Sequence, residues 1–396
     1  PTTKLLFSGH KYRLIIIAST ADFSRATYLN AVTPVLCQTR KVSGETINVR
    51  FSHLSSAVSP CKAPYLCPFT PMGFLTVSGI SVKIDPGFEL NDISFSQKKF
   101  QKIAIAGETG SGKSTVLKII AGLIQPERGT VFFEGERIKG PHEKLIPGHP
   151  GIAYLSQHFE LRNSYRIEEE LEYLNRLEGD MAEDIFRICD ISHLLKRKTS
   201  QVSGGERQRI ALARQLISSP GLLLLDEPFS NLDYIHKTKL KSVLAGVSRR
   251  LNISSMLVSH DPAEILSWAD MVLVMQHGRL ITSGTPHALY TKPENEYIAG
   301  LFGKYNMVPP SGLLHANNAT QGQKIFLRPE QLSICAVAGS DFKYPVTVKN
   351  ISFLGNGYET EADCNGSTIT VYSAHNNFKT GDAIGLSILS KALWYL

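Results

Sequence analysis

Nine residues, Gly107-Glu108-Thr109-Gly110-Ser111-Gly112-Lys113-Ser114-Thr115, put three glycines, one ammonium and hydroxyl side chains into a single short loop. The pattern is that of a phosphate-binding P-loop. Its glycines let the backbone turn so that successive N–H groups point inward around a β-phosphate. A helix opening at the end of the loop adds the positive end of its dipole. In such a loop Lys113 reaches the β- and γ-phosphates, and the Ser114 hydroxyl is a Mg²⁺ ligand. By itself the motif leaves kinases, GTPases and helicases open.

The chemistry needs a strand before the loop and a helix after it. Lys102-Ile-Ala-Ile-Ala reads as a buried strand, and Ser114 to Leu123 as a helix with apolar residues at 116, 117, 119, 120 and 123. Leu222 to Leu225, running into Asp226, is a second buried strand, and Ser255-Met-Leu-Val-Ser, ending at His260, is a third. Leu75-Thr-Val-Ser and Phe88 to Phe95 are shorter strands, and the charged stretch Glu168 to Leu195 reads as helices. Continuous apolar runs separated by helical patterns predict a mainly parallel sheet covered on both faces, an α/β fold.

Val202-Ser-Gly-Gly-Glu-Arg-Gln-Arg209 narrows the choice. It resembles the signature of the ABC ATPase family, with Val and Glu where Leu and Gln are usual. Ser203, Gly204 and Gly205 are expected just before a helix from Gln208 to Ile217, a second site for an anion. Together with Glu206 they would close on the γ-phosphate held by another copy's P-loop. The resemblance makes Leu222 to Pro228 the Walker B strand, with Asp226 holding Mg²⁺ and Glu227 as general base. Tyr154-Leu-Ser-Gln157 resembles the Q-loop, whose Gln157 joins the Mg²⁺ shell. Ser230-Asn-Leu-Asp233 resembles the D-loop, so Asp233 would cross the dimer interface. Ser259-His260-Asp261 resembles the H-loop, with His260 on the γ-phosphate. The family usually stacks an aromatic residue on adenine. Ile84 stands at the matching position, which leaves Phe88 with two readings, base stacking or the strand core.

The resemblance covers residues 75 to 396. It implies a P-loop ABC ATPase domain with a mainly parallel sheet, a helical subdomain and an antiparallel β edge. Gly278 to Pro293 and Glu296 to Gly303 look like the end of that domain in bacterial importers of sugars, polyamines, iron or anions. Phe326-Leu-Arg328-Pro329-Glu330 and Ile351 to Gly355 match the C-terminal β domain that follows there. The expected domains are 72–305 for the ATPase, 306–323 for a linker rich in Pro, Gly and Asn, and 324–396 for a small all-β, barrel-like unit. The implied activity is ATP hydrolysis with Mg²⁺, coupled to transport. The implied partners are a second copy of the chain, transmembrane permease subunits docking near His158 to Arg166, and a solute-binding protein. The implied place is the cytoplasmic face of the membrane. The alternative, a soluble ABC ATPase of translation or DNA repair, fits poorly. The P-loop-to-signature interval lacks sustained heptads, and one ATPase domain is present rather than two.

Charge and apolar runs agree. Of a net charge of +7, residues 1–71 carry +6, from eight Lys/Arg against Asp22 and Glu45. The remainder is close to neutral and offers no electrostatic footprint for nucleic acid. Residues 1–71 also hold Cys37, Cys61 and Cys67 at spacings that suit no zinc site, and the first methionine is Met72. This segment is expected to lie outside the native fold, which would begin at Met72; the other readings are a targeting segment or a small accessory domain. No apolar run reaches the roughly 18 residues of a membrane-spanning helix, so a membrane role requires a partner.

Overall fold

The computed structural model describes residues 73–85, 87–156, 161–162, 165–230, 232–308, 324–335, 344–364, 366–389 and 393–396, with three short strands nearer the N-terminus. The chain divides into two compact units, Pro1–Pro68 and Phe69–Leu396. In the first, Leu5–Ser8, Arg13–Ile16 and Tyr28–Asn30 pair as an antiparallel sheet. The rest of 1–71, and with it the expectation for that segment, lies outside the described residues.

The larger unit begins with β1 (Leu75–Asp85) and β2 (Phe88–Gln97), both longer than the sequence pattern suggests. They lead into β3 (Lys102–Ala106), the P-loop and α1 (Lys113–Ile120). Next come β4 (Arg128–Phe133), β5 (Glu136–Arg137) and β6 (Ile152–Leu155), then α2 (Ile167–Glu172), α3 (Met181–Ile188) and α4 (Gly204–Leu216). The last part runs β7 (Leu222–Asp226), α5 (Tyr234–Leu251), β8 (Ser254–Val258), α6 (Pro262–Trp268), β9 (Met271–Gln276) and β10 (Arg279–Gly284). Two short helices, α7 (Pro286–Thr291) and α8 (Glu296–Leu301), close it.

The central sheet has the order β10-β9-β3-β8-β7-β6, parallel except at the β10 edge. A separate antiparallel sheet, β2-β1-β4-β5, forms the β edge. The four leucines of β7 show how the layers assemble. Leu222 and Leu224 enter the core formed with β1, β2 and α1. Leu223 and Leu225 enter the core formed with α2 to α5. A strand turns alternate side chains to opposite faces, so an unbroken leucine run is what a doubly covered strand requires. Each fully buried leucine contributes roughly 1.5–3 kcal/mol. Parallel pairing also sets the register at the working end. Leu225 lies opposite Leu257, and Ile105 opposite Val258, so β3, β7 and β8 end level. Loops carrying Gly107, Glu227 and His260 thereby leave one edge of the sheet, where α/β folds place their ligands.

The C-terminal part is all β. Leu332–Cys335, Ala383–Ile388, Tyr344–Phe353, Tyr358–Cys364 and Ser367–Ser373 form an antiparallel five-stranded sheet in that order. Its first and last strands approach each other, so the sheet curls toward a barrel. It has its own core, including Val346, Val348, Ala362, Val371, Ile384 and Leu386. One expectation is corrected here. Asn306–Val308, expected to start a linker, is a strand paired with Ile325–Leu327, which also pairs with Trp394–Tyr395. Polar asparagine suits a linker, but the Asn306 side chain donates to Thr370 O (2.8 Å) and accepts from Thr370 N (2.7 Å). Residues 309–323 lie outside the described residues.

Candidate functional site

Two glycines of the P-loop are fixed by close approach. A Cβ on Gly107 (φ 152°) would fall 2.3 Å from the Met275 carbonyl oxygen of β9. One on Gly112 (φ 97°), which caps α1, would fall 2.4 Å from Leu90 Cδ2 and 2.9 Å from Phe88 Cζ. Both backbones lie in the region that side chains disfavour, so glycine is needed for conformation as well as space. Lys113 is buried, and its Nζ donates to Gly107 O (2.8 Å) and Glu108 O (2.7 Å). Burial draws the Lys113 pKa below its ordinary value, while the charges of Glu227 and Asp226 oppose that shift. Glu108, Thr109 and Gly110 form the exposed shoulder of the loop; Ser114 and Thr115 are half-buried in the first turn of α1.

Asp226 is buried at the end of β7 and receives two hydroxyls. Ser114 Oγ donates to Oδ1 and Tyr154 OH to Oδ2, both at 2.8 Å. Burial, then the neighbouring Asp226 charge, raises the pKa of the Tyr154 phenol, which keeps it a hydrogen-bond donor. From sequence, Tyr154 stands out only as part of a loop motif. Its partner lies 72 residues away, and no local spacing signals that contact. The Ser114 and Asp226 oxygens form a hard, oxygen-only donor pair, which suits a Mg²⁺ that keeps several waters.

Glu227 follows with a left-handed backbone (φ 47°). Its amide donates to Val258 O (3.0 Å), and its carbonyl accepts from Ser230 Oγ (2.8 Å). Its carboxylate Oε2 lies 3.4 Å from His260 Nδ1. Beside them is a recess of about 520 Å³ lined by Glu227, Ser230, Leu232, Lys237, His260 and Asp261 among others. The H-loop is held from below: Lys237 Nζ meets Asp261 Oδ2 (2.8 Å) and Glu264 Oε1 (2.6 Å), and Ser259 Oγ donates to Glu264.

The signature lies differently from its expected place. The helix begins at Gly204, not Gln208, so both glycines are inside its first turn. A capping box explains the earlier start: Glu206 N donates to Ser203 Oγ (3.3 Å), and Ser203 N to Glu206 Oε2 (2.8 Å). The signature's own contacts run to the D-loop and Walker B segments. A Cβ on Gly205 would meet His236 Cδ2 at 2.4 Å, and the His236 amide donates to Asp233 Oδ1 (2.9 Å). Gln208 Nε2 donates to the Pro228 carbonyl, two residues after Asp226. The structure therefore joins Ser203 to Glu206, Asp233 and the loop after Glu227 in one connected surface. Gln157 lies outside the described residues, as does most of the proposed docking stretch 158–166.

Phe88 is half-buried, packs on the core, and lays its ring edge against Gly112. It also lines a recess of about 190 Å³ with Glu89, Glu108 to Ser111 and His277. Ile84 is exposed.

A parallel sheet whose ends deliver a glycine loop, a lysine, a serine–aspartate pair and a glutamate–histidine pair defines a P-loop ATPase. The profile of the ABC transporter family matches residues 90–230, and that of the TOBE domain residues 325–396. A molybdate/tungstate import ATP-binding protein of Thermococcus kodakarensis is 36% identical over 241 residues, covering 59% of this chain and 72% of that one. An Fe(3+) ions import ATP-binding protein of Mesorhizobium japonicum is 31% identical, covering 80% and 91%. A sulfate/thiosulfate import ATP-binding protein of Synechocystis sp. is 28% identical, covering 72% and 84%. The chain belongs to the ABC transporter family, as an ATP-binding subunit of the importer type whose ATPase is coupled to transport. No helix among the described residues is long and apolar enough to cross a membrane.

Proposed function

We propose that this chain powers the uptake of an inorganic ion by closing on ATP as a pair of copies beneath membrane permease subunits. The observation that carries the reading is the cluster of Lys113, Ser114, Asp226, Glu227 and His260 at one sheet edge. The 107–115 backbone and Lys113 would hold the phosphates, Lys113 exchanging its carbonyl partners for phosphate oxygens. Ser114 and Asp226, with Gln157, would hold Mg²⁺. When bound, that ion neutralises charge developing on the phosphate oxygens. Glu227 takes a proton from the attacking water, and His260, 3.4 Å away, keeps the carboxylate aligned. Ser203, Gly204, Gly205, Glu206 and Asp233 would serve the ATP of the other copy.

Hydrolysis removes the phosphate that bridges the two copies, so the pair opens. The permease is proposed to dock in a groove of about 420 Å³ lined by Leu123, Lys144, Ile146, Pro147, His149 and Tyr154. Next to it Leu145 is 99% and Ile146 75% exposed, apolar surface that a partner would cover. A solute-binding protein would deliver the cargo. Its inorganic nature is suggested by relatives named for molybdate/tungstate, sulfate/thiosulfate and Fe(3+).

Mixing two inactive variants tests the shared site. Lys113→Ala breaks the P-loop, and Ser203→Arg blocks the surface serving the other copy's ATP. A mixed dimer confines both lesions to one site and leaves the second intact. Random pairing makes about half the dimers mixed, so roughly a quarter of wild-type sites should return, by the symmetry of an isologous pair. The readout is ATP occluded per dimer, with Glu227→Gln in both chains to stop hydrolysis. No recovery of occluded ATP, with mixed dimers shown to form, would overturn the shared-site reading.

A further inference from the structure

The P-loop is braced from outside by a residue that the mechanism above does not use. Tyr297, in the first turn of α8, places its hydroxyl between two backbones. It donates to Met275 O (2.9 Å) and accepts from the Glu108 amide (3.3 Å). A phenol has one proton to give, so the donation to Met275 leaves its oxygen free to accept from Glu108. On the other side, Lys113 Nζ holds the Gly107 and Glu108 carbonyls. The first peptides of the loop are thus gripped from both faces, one grip phosphate-binding and the other not. Met275 is also the residue whose carbonyl excludes a side chain at Gly107.

The helix carrying Tyr297 is itself well anchored. Asn295 caps it, its Oδ1 accepting from Ile298 N at 2.9 Å. Ile298 and Phe302 pack on Ala104 and Ala106, the residues of β3 that lead into the loop. From the C-terminal β part, Arg328 (1% exposed) reaches back to its end. Arg328 Nη1 donates to Ala299 O (3.0 Å), Gly303 O (2.9 Å) and Lys304 O (3.1 Å), while Nε donates to Tyr290 O (3.0 Å). Its guanidinium also stacks on Tyr290, 4.1 Å from the ring centre.

We propose that Tyr297 is a positioning residue of the ATPase reaction: its hydroxyl, held through α8, keeps the Gly107 and Glu108 peptides of the P-loop in the shape that receives phosphate. This rests on the ATPase reading above. Without the hydroxyl the loop samples other shapes, and ATP must supply the ordering when it binds, which lowers affinity by the fraction of time the loop is competent.

Tyr297→Phe in the full chain keeps the ring and removes only the oxygen. Tyr305→Phe is the control, since its hydroxyl contacts Glu296 (3.2 Å) and not the loop. Three quantities are measured: the ATP dissociation constant, KM and kcat for ATP hydrolysis, and Tm without nucleotide. Tyr297→Phe should raise the dissociation constant and KM about three- to tenfold, the scale of one or two net hydrogen bonds. Its kcat should stay within about twofold, because Glu227 and Asp226 are untouched. Tyr305→Phe should change neither affinity nor KM. Wild-type affinity and KM in Tyr297→Phe, with or without a fall in Tm, would overturn the proposal. Equal losses of affinity in both variants would overturn it too. Failure of the wild-type chain to bind ATP would instead sink the ATPase reading on which it stands.

Discussion

Replacing Glu227 by Gln separates binding from chemistry, because the proposed mechanism assigns the two to different atoms. The substitution preserves size and removes the proposed proton acceptor. The local backbone does not depend on the carboxylate: the 227 amide is held by Val258 O at 3.0 Å, and its carbonyl by Ser230 Oγ at 2.8 Å. Lys113 donates to Gly107 O and Glu108 O, so Gln removes none of these hydrogen bonds and takes away only the charge that Glu227 exerts on the ammonium. A general base contributes about 10²–10⁴ in rate, or roughly 3–5 kcal/mol of barrier at 1.36 kcal/mol per decade. Turnover of Glu227→Gln should fall by that factor, while the ATP dissociation constant stays within about threefold and Tm within about 2 °C. The assay is single-turnover hydrolysis of bound ATP beside direct ATP titration. Turnover within tenfold of wild type would move the base elsewhere, with His260 the next residue in reach. A dissociation constant rising in step with the rate loss would refute the division of labour itself.

Three other outcomes are expected. Tyr154→Phe takes one of two hydroxyl donors from Asp226, the proposed Mg²⁺ ligand, and such support of a ligating carboxylate is commonly worth about tenfold or more. The Mg²⁺ concentration needed for half-maximal ATPase should rise by about that factor, and an unchanged Mg²⁺ titration would contradict it. Phe88→Ala should cost about 2 kcal/mol, near half that of a fully buried phenylalanine, and lower ATP and GTP affinity together. Loss of stability with unchanged affinity for both would assign the ring to the core alone. Arg328→Met leaves four carbonyls without their donor and should cost about 3 kcal/mol. At roughly 2–4 °C per kcal/mol, Tm should fall by 6–12 °C in differential scanning calorimetry.

What the sequence disclosed was a set of short contiguous runs that the fold brings together. The P-loop and the Leu222–Asp226 strand with Glu227 after it are legible because each needs its residues in one fixed local order, and the structure brings Lys113, Asp226, Glu227 and His260 to one edge. Partners distant in the chain were not legible. Tyr154 reaches Asp226, Tyr297 reaches Glu108, and Arg328 reaches Ala299, and nothing in the flanking residues announces any of these. Local signals also misplaced two boundaries. Gly204 and Gly205 read as loop because glycine is a poor helix former, yet the Ser203–Glu206 box starts the helix there. Asn306 reads as linker, although its amide is matched by Thr370, 64 residues on.

With Glu227 as the proposed general base, its left-handed backbone sets stability against activity at a single position. A residue with a Cβ pays roughly 1–2 kcal/mol to sit at φ 47°, a conformation glycine adopts freely. A Glu227→Gly chain would shed that strain and lose, with the side chain, the carboxylate proposed as proton acceptor. Under the proposed role of Glu227, libraries sorted for thermal tolerance alone would drift toward inactive chains at this codon, so engineering of the protein has to screen turnover alongside heat resistance.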